Sequence, residues 1–211
     1  MSFIALIDYG MGNLMSVSKA LESVGGKVRL VRTPADAQGA DAVVLPGVGA
    51  FGDGMAQLQS SGMVPFLKEK TAAGMPLLGI CLGMQMLLDS SEESPGVPGL
   101  SLIPGKVLRF PEQGLKIPQI GWNSIVPDAQ DPFFNGIAPD TFFYFVHSYY
   151  VKPDQPSDTA AVCNYMIDFA AAVRRGNIFA VQFHPEKSQE AGLRLLKNFV
   201  EMSQKSGGIS C

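Results

Sequence analysis

The chain has 211 residues, 46% of them hydrophobic, a length that favours a single domain over residues 1–211 with a large buried core. Charged residues make up 17%, under the ~25% usual for soluble domains, so low-charge surface is expected to be reserved for a partner. A net charge of −3 with no basic run argues against nucleic acid as that partner.

Phe3–Asp8 is a short apolar run without helical period and reads as a buried strand; with no basic segment before it and Asp8 interrupting it, it does not read as a signal peptide. A glycine-containing loop, Tyr9–Asn13, follows. Leu14, Val17, Leu21 and Val24 then recur at helical spacing, and Gly25-Gly26 closes that helix. Lys27–Val31 and Ala42–Leu45 read as further strands, the latter entering a glycine-rich loop over Pro46–Gly54. Val64–Ala73 is helical in pattern, Pro76–Ile80 is a fourth strand, and Cys81–Asp89 a helix. The charge-free run Thr71–Leu88 reaches membrane-span length, but Gly74, Pro76, Gly79 and Gly83 divide it into strand, turn and helix, so no membrane association is expected.

From Ser101 to Val151, short β-branched and aromatic runs alternate with Pro and Gly, the texture of antiparallel strands. Thr159–Cys163 and Ala170–Arg174 continue it, and Gly176-Asn177 signals a hairpin into Ile178–Phe183. Ser188 can cap a last helix whose buried face is marked by Leu193, Leu196, Phe199 and Val200, with the tail after Ser203 frayed. Together these elements predict an α/β fold: an open, mostly parallel twisted sheet with helices on both faces and an antiparallel segment in the second half.

Three cysteines and two histidines allow six Cys–His pairings. The cysteines lack CxxC spacing, which suits a reducing cytoplasm, and no metal-ligand spacing appears. Cys81 stands out by context: Gly79-Ile80-Cys81-Leu82-Gly83 places it on a sharp turn between an apolar strand and a helix, where the side chain projects above the sheet. The helix start adds partial positive charge that favours a thiolate. Taken alone, such a cysteine is more often buried structure flanked by packing glycines. His184 changes the balance. It ends a strand and is followed by Pro185 and Glu186, and residues two apart in extended chain project to the same side. Glu186 can then orient one imidazole nitrogen while the other faces a thiol. His147 lacks a nearby acidic partner and reads as structural. Gly47 and Gly49 allow the intervening peptide to swing a backbone N–H toward an oxyanion, with the Leu82 N–H as second donor. Gly10-Met11-Gly12 lacks the third glycine and the ribose-binding acid of a dinucleotide fingerprint, so no nicotinamide cofactor is expected.

Gly79-Ile80-Cys81-Leu82-Gly83-Met84-Gln85 with Phe183-His184-Pro185-Glu186-Lys187-Ser188 resembles the class I (triad) glutamine amidotransferases. Asp8–Asn13, Pro46–Gly49, Pro118–Asn123 and Tyr144–Tyr149 narrow the resemblance to glutaminase subunits that serve a cyclase in histidine biosynthesis, with related glutaminases of sugar amidation or pyridoxal phosphate synthesis as the alternative. It implies hydrolysis of glutamine to glutamate and ammonia, with Cys81 as nucleophile, His184 as proton carrier and Glu186 as its orienting acid. By the same resemblance the Val48 and Leu82 N–H groups form the oxyanion hole, and Gly49, Gln85, Ser148 and Tyr149 hold the substrate. No cofactor or metal is implied. The implied partner is a cyclase subunit, an eight-fold β/α barrel bound as a heterodimer and receiving ammonia through a channel, with Asn13, Trp122, Tyr144 and Lys187 at the interface or its gate.

Overall fold

The computed structural model of the chain describes residues 3–112 and 114–206. Short apolar runs become strands buried on both faces, as a parallel sheet requires. In β1 (Ile4–Ile7), β3 (Ala42–Leu45), β4 (Leu77–Ile80) and β12 (Ile178–Val181) every residue is buried, whereas β2 (Val28–Val31) forms a partly exposed edge. These five lie in the order β2-β1-β3-β4-β12, all parallel. Alternate residues of β1 serve opposite layers: Ile4 and Leu6 join a cluster with Val17, Leu21 and Phe199, while Ala5 and Ile7 join one with Phe51, Leu58 and Leu67. Helices α1 (Leu14–Ser23) and α5 (Gln189–Ser206) therefore cover one face, and α2 (Phe51–Ser60), α3 (Met63–Ala72) and α4 (Leu82–Met86) the other.

The remaining strands are β5 (Ser90–Ser91), β6 (Gly105–Arg109), β7 (Gln119–Pro127), β8 (Thr141–His147), β9 (Tyr149–Pro153), β10 (Thr159–Tyr165) and β11 (Ile167–Arg175). Beyond β12 the sheet continues antiparallel through β11, β10, β7 and β8, and β9 pairs with both β11 and β6. The expected change of texture near the middle of the chain is thus a change from parallel to antiparallel pairing. The short parallel pair β5–β6 is the exception within that half. Among the described residues, no helix is long and apolar enough to cross a membrane.

Three expectations need correction. The loop expected over Pro46–Gly54 stops at Ala50, because α2 begins at Phe51. Its start is capped by residues far along the chain, with the Phe51 N–H donating to Glu93 Oε2 at 2.7 Å and the Gly52 N–H to Ser94 Oγ at 3.0 Å, so no local capping signal exists. In the last helix Leu195, not Leu193, takes the buried position beside Leu196, Phe199 and Val200; Leu193 is exposed. That helix also runs past Ser203 to Ser206, and residues 207–211, including Cys211, lie outside the described part.

Candidate active site

Loops at the carboxyl ends of parallel strands converge on one side of the sheet, where open α/β folds bind their ligands. Here the segments after β1, β3, β4 and β12 meet. Tyr9 Oη donates to the Pro46 carbonyl at 2.8 Å, and the Cys81 N–H donates to Val181 O at 2.8 Å. Burial, and next the neighbouring Cys81, hold the Tyr9 phenol above its ordinary range, so it stays a neutral donor. The cleft between these loops measures about 310 Å³, a size suited to a small metabolite.

Cys81 adopts φ 55° and ψ −110°, a conformation rare for a residue with a Cβ. Strain of this kind persists only where the surroundings over-determine it. They do so here: a Cβ on Gly83 would collide with the Leu45 carbonyl, so only glycine lets α4 press against β3 and keep the turn tight. The sequence-based expectation of a strained elbow is realised, with one revision. Helix α4 has only five residues, so its dipole adds little at Cys81.

The principal electrostatic partner of the thiol is instead His184. The imidazole Nδ1 lies 2.9 Å from Glu186 Oε1, and the ring shares the cleft with the Cys81 thiol, which itself points toward the Val146 carbonyl at 4.0 Å. The His184 and Glu186 side chains are 5% and 1% exposed. Burial opposes the imidazolium, but hydrogen bonds to Cys81 and Glu186, together with their charges, outweigh it and push His184 up to about 10. Glu186 Oε2 is buried without a hydrogen-bond partner, so the carboxylate is directed at the histidine. This arrangement sets a carboxylate-backed imidazole beside the thiol, able to take a proton and return it to a leaving group.

His147 faces the same cleft and behaves in the opposite way. Its Nδ1 lies 2.8 Å from the Tyr149 carbonyl and its Nε2 2.9 Å from the Gln119 side-chain amide. Burial, only partly offset by the Tyr149 hydrogen bond, lowers it to about 4. A ring kept neutral between fixed dipoles agrees with the structural part expected for it.

Val48, Gly49, Leu82, Gln85, Ser148 and Tyr149 all line the cleft with Cys81 and His184. The Leu82 N–H donates to the Gly47 carbonyl at 3.4 Å. Because a trans peptide is planar, the Val48 N–H of that unit points away from Leu82. The two expected oxyanion donors therefore do not converge in this conformation.

Three of the expected interface residues, Trp122, Tyr144 and Lys187, lie together on one outer face. In the β7–β8 ladder Trp122 pairs with Tyr144, their rings 6.0 Å apart, and the Lys187 ammonium lies 5.8 Å from the Tyr144 ring. Exposed Ile120, Phe142 and Val126 extend the patch around Trp122, itself 46% exposed. Asn13 is exposed at the start of α1.

Several residues at the site were not singled out from the sequence. Glu93 lines the cleft while capping α2, and Gln182, fully buried, approaches the Cys81 sulfur. The available signal was a lone polar residue inside the otherwise apolar run Ile178–Phe183. Ser188 stands where a cap was expected, its carbonyl accepting from the Gly192 N–H, but its hydroxyl does other work. It accepts from the Tyr144 N–H at 3.0 Å and donates to the His184 carbonyl at 2.6 Å.

Residues 5–202 match the family described as Glutamine amidotransferase class-I. The chain is 49% identical to imidazole glycerol phosphate synthase subunit HisH of Moorella thermoacetica, over 97% of each chain. It is 50% identical to the subunit of the same name from Methanosarcina barkeri, over 96% of this chain and all of that one. Among solved structures, PurLQS from Thermotoga maritima superposes with a TM-score of 0.77 at 18% identity, covering 95% of this chain and 98% of that one. A glutamine amidotransferase superposes with a TM-score of 0.75 at 19% identity and the same coverage. At such identities these two bear on the fold alone.

Proposed function

The chain belongs to the class I glutamine amidotransferases, and from that premise we propose that it is the glutaminase subunit of imidazole glycerol phosphate synthase in histidine biosynthesis. The observation that carries this reading is Cys81 and His184 lining one cleft at the carboxyl ends of the parallel strands, with Glu186 2.9 Å behind the imidazole.

The chemistry follows from that geometry. The Cys81 sulfur attacks the side-chain amide carbonyl of glutamine, and His184 carries the thiol proton to the departing ammonia. Water, deprotonated by His184, then cleaves the thioester to glutamate and regenerates the thiol. Glu186 keeps the ring oriented and its positive charge stabilised. Gly49, Gln85, Ser148 and Tyr149 surround the place where the substrate's amino-acid end would sit. Glu93, on the same wall, adds a carboxylate for the α-ammonium group.

The oxyanion needs Val48 and Leu82 to act together. Rotating the Gly47–Val48 peptide by about half a turn would withdraw the Gly47 carbonyl from Leu82 and bring in the Val48 N–H, freeing two donors in one motion. In the present conformation hydrolysis is slow by this reading, which prevents ammonia release without an acceptor. The acceptor is the cyclase subunit, an eight-fold β/α barrel docked as a heterodimer on the apolar β7–β8 face around Trp122 and Tyr144, with Lys187 beside Tyr144 and the exposed Asn13 as a further contact of the same interface. The whole chain acts as one domain. The reading places it in the cytoplasm, where the free thiols Cys81 and Cys163 stay reduced.

The test uses the assembled enzyme. Cys81→Ala should abolish glutamine-dependent turnover while cyclisation with ammonium salts persists. Retained glutamine turnover overturns the reading, and loss of both reactions would trace to damaged assembly, which size-exclusion chromatography of the complex checks.

A further inference from the structure

The residue in this cleft with the most constrained and least explained geometry is Gln182. It follows β12, is 0% exposed, and its backbone N–H is bound to Ala171 O at 2.8 Å. Its side-chain Nε2 lies 3.7 Å from the Cys81 sulfur and its Oε1 3.0 Å from Gln85 Nε2. Gln85 Nε2 in turn lies 3.1 Å from the Tyr149 carbonyl.

The orientation of both amides follows from this network. A carbonyl oxygen only accepts, so Gln85 must present its NH2 group to Tyr149, and the same NH2 group supplies the second proton to its other neighbour. Gln182 must therefore offer Oε1 to Gln85, which leaves its own NH2 group directed at the sulfur. We propose that Gln182 is a positioning residue for the nucleophile, its buried amide donating a hydrogen bond that holds the Cys81 sulfur toward the cleft and favours its thiolate.

A buried donor does more for an anion than for a neutral thiol, because hydrogen bonds to ionised groups are roughly twice as strong as neutral ones. Gln182 thus complements His184: two donors approach one sulfur from separate elements, and only one of them moves a proton. The network also ties the sulfur to Gln85, which lines the substrate cleft, so the reacting atom and the binding wall are set by one chain of hydrogen bonds.

The proposal rests on the glutaminase reading, and its test separates the two. Gln182→Met keeps the length without a donor; Gln182→Glu keeps the shape but turns an oxygen on the sulfur. In the full chain, iodoacetamide alkylation is followed from about pH 5 to 9 by mass spectrometry of the Cys81 peptide, and glutamine kinetics are measured in the complex with the cyclase. Both variants should lower kcat about 10- to 100-fold with KM changed less than about fivefold, Gln182→Glu more severely. Their alkylation profiles should move about one pH unit to the alkaline side. An unmoved alkylation profile, or a raised KM at constant kcat, overturns the proposal and leaves Gln182 as a support for Gln85 alone. A measurement needing no Gln182 variant covers the case in which neither folds. The Gln182 side-chain amide resonance of the native chain should follow Cys81 alkylation, and a resonance indifferent to it also overturns the proposal. Glutamine turnover that survives Cys81→Ala would instead remove the glutaminase reading, with the alkylation and resonance results still deciding this one.

Discussion

Two histidines border one cleft, and their surroundings drive them apart: His184 is pushed up to about 10, His147 down to about 4. Burial disfavours the charged form of both, so burial alone does not distinguish them. The difference lies in what each ring faces. His184 has a thiol on one side and a carboxylate on the other, groups that can carry full negative charge. His147 has a carbonyl and an amide, which supply dipoles too weak to offset desolvation. A histidine in a low-dielectric site becomes a proton carrier only where anionic partners have been buried beside it.

The comparison breaks most sharply under substitution. By the proposed mechanism, His184→Asn should lower kcat for glutamine about 10³-fold or more, since it removes the group proposed to carry the proton. His147→Asn should lower kcat less than tenfold while costing about 1–3 kcal/mol of stability through the unpaired groups it leaves. Steady-state kinetics and urea unfolding of the two variants decide the matter. A larger kinetic loss at His147 would reverse the assignment of roles.

The same contrast has opposite signs in pH-dependent stability. His147 takes its proton in the unfolded chain near 6.5 but in the folded chain only near 4, so its stabilising contribution is full above pH 6.5 and lost as pH falls through 4. At 1.36 kcal/mol per unit the loss is about 3 kcal/mol. His184, raised, contributes fully below pH 6.5 and loses that contribution as pH rises through 10. Relative to the native chain, His147→Gln should flatten the acid limb of the stability curve and His184→Gln the alkaline limb. Parallel limbs in the native and variant chains would show that these rings do not carry the linkage.

How much of this was legible in the sequence depends on the range of the interactions. The elbow at Cys81 and the His184–Glu186 pair are local patterns, readable because a turn and a two-residue spacing fix them. The helix after Ala50 was not. Gly52 and Gly54 lower its helical propensity, and its caps come from Glu93 and Ser94. Gly54 is there because a Cβ would press on Met86 and Leu82 of α4, a packing reason invisible in a local window. Leu193 and Leu195 both fit a helical stripe, and only the direction from which β8 and α1 pack selects one. Gln182 and Ser188 carry their significance in contacts across the sheet, which no spacing rule encodes.

Ser188 gives the finest adjustment of the comparison. Its hydroxyl links the Tyr144 N–H to the His184 carbonyl, and the His184 N–H returns to the Tyr144 carbonyl at 2.9 Å, so one short ring of hydrogen bonds fixes the backbone that presents His184. His147 is held through its ring atoms instead. The brace also connects the cleft to the outer face, because Tyr144 carries the contacts to Trp122 and Lys187. Ser188→Ala removes one buried hydroxyl and leaves the Tyr144 N–H unpaired, with the protein otherwise intact. It should lower kcat about 3- to 10-fold at nearly constant KM, with stability down about 1–2 kcal/mol. If the proposed cyclase partner docks on β8, its stimulation should shrink by a similar factor, since movement of β8 would reach His184 less faithfully. If stability falls and both kinetic quantities hold, Ser188 only fastens the helix, and the orientation of His184 rests on Glu186 and Cys81 alone.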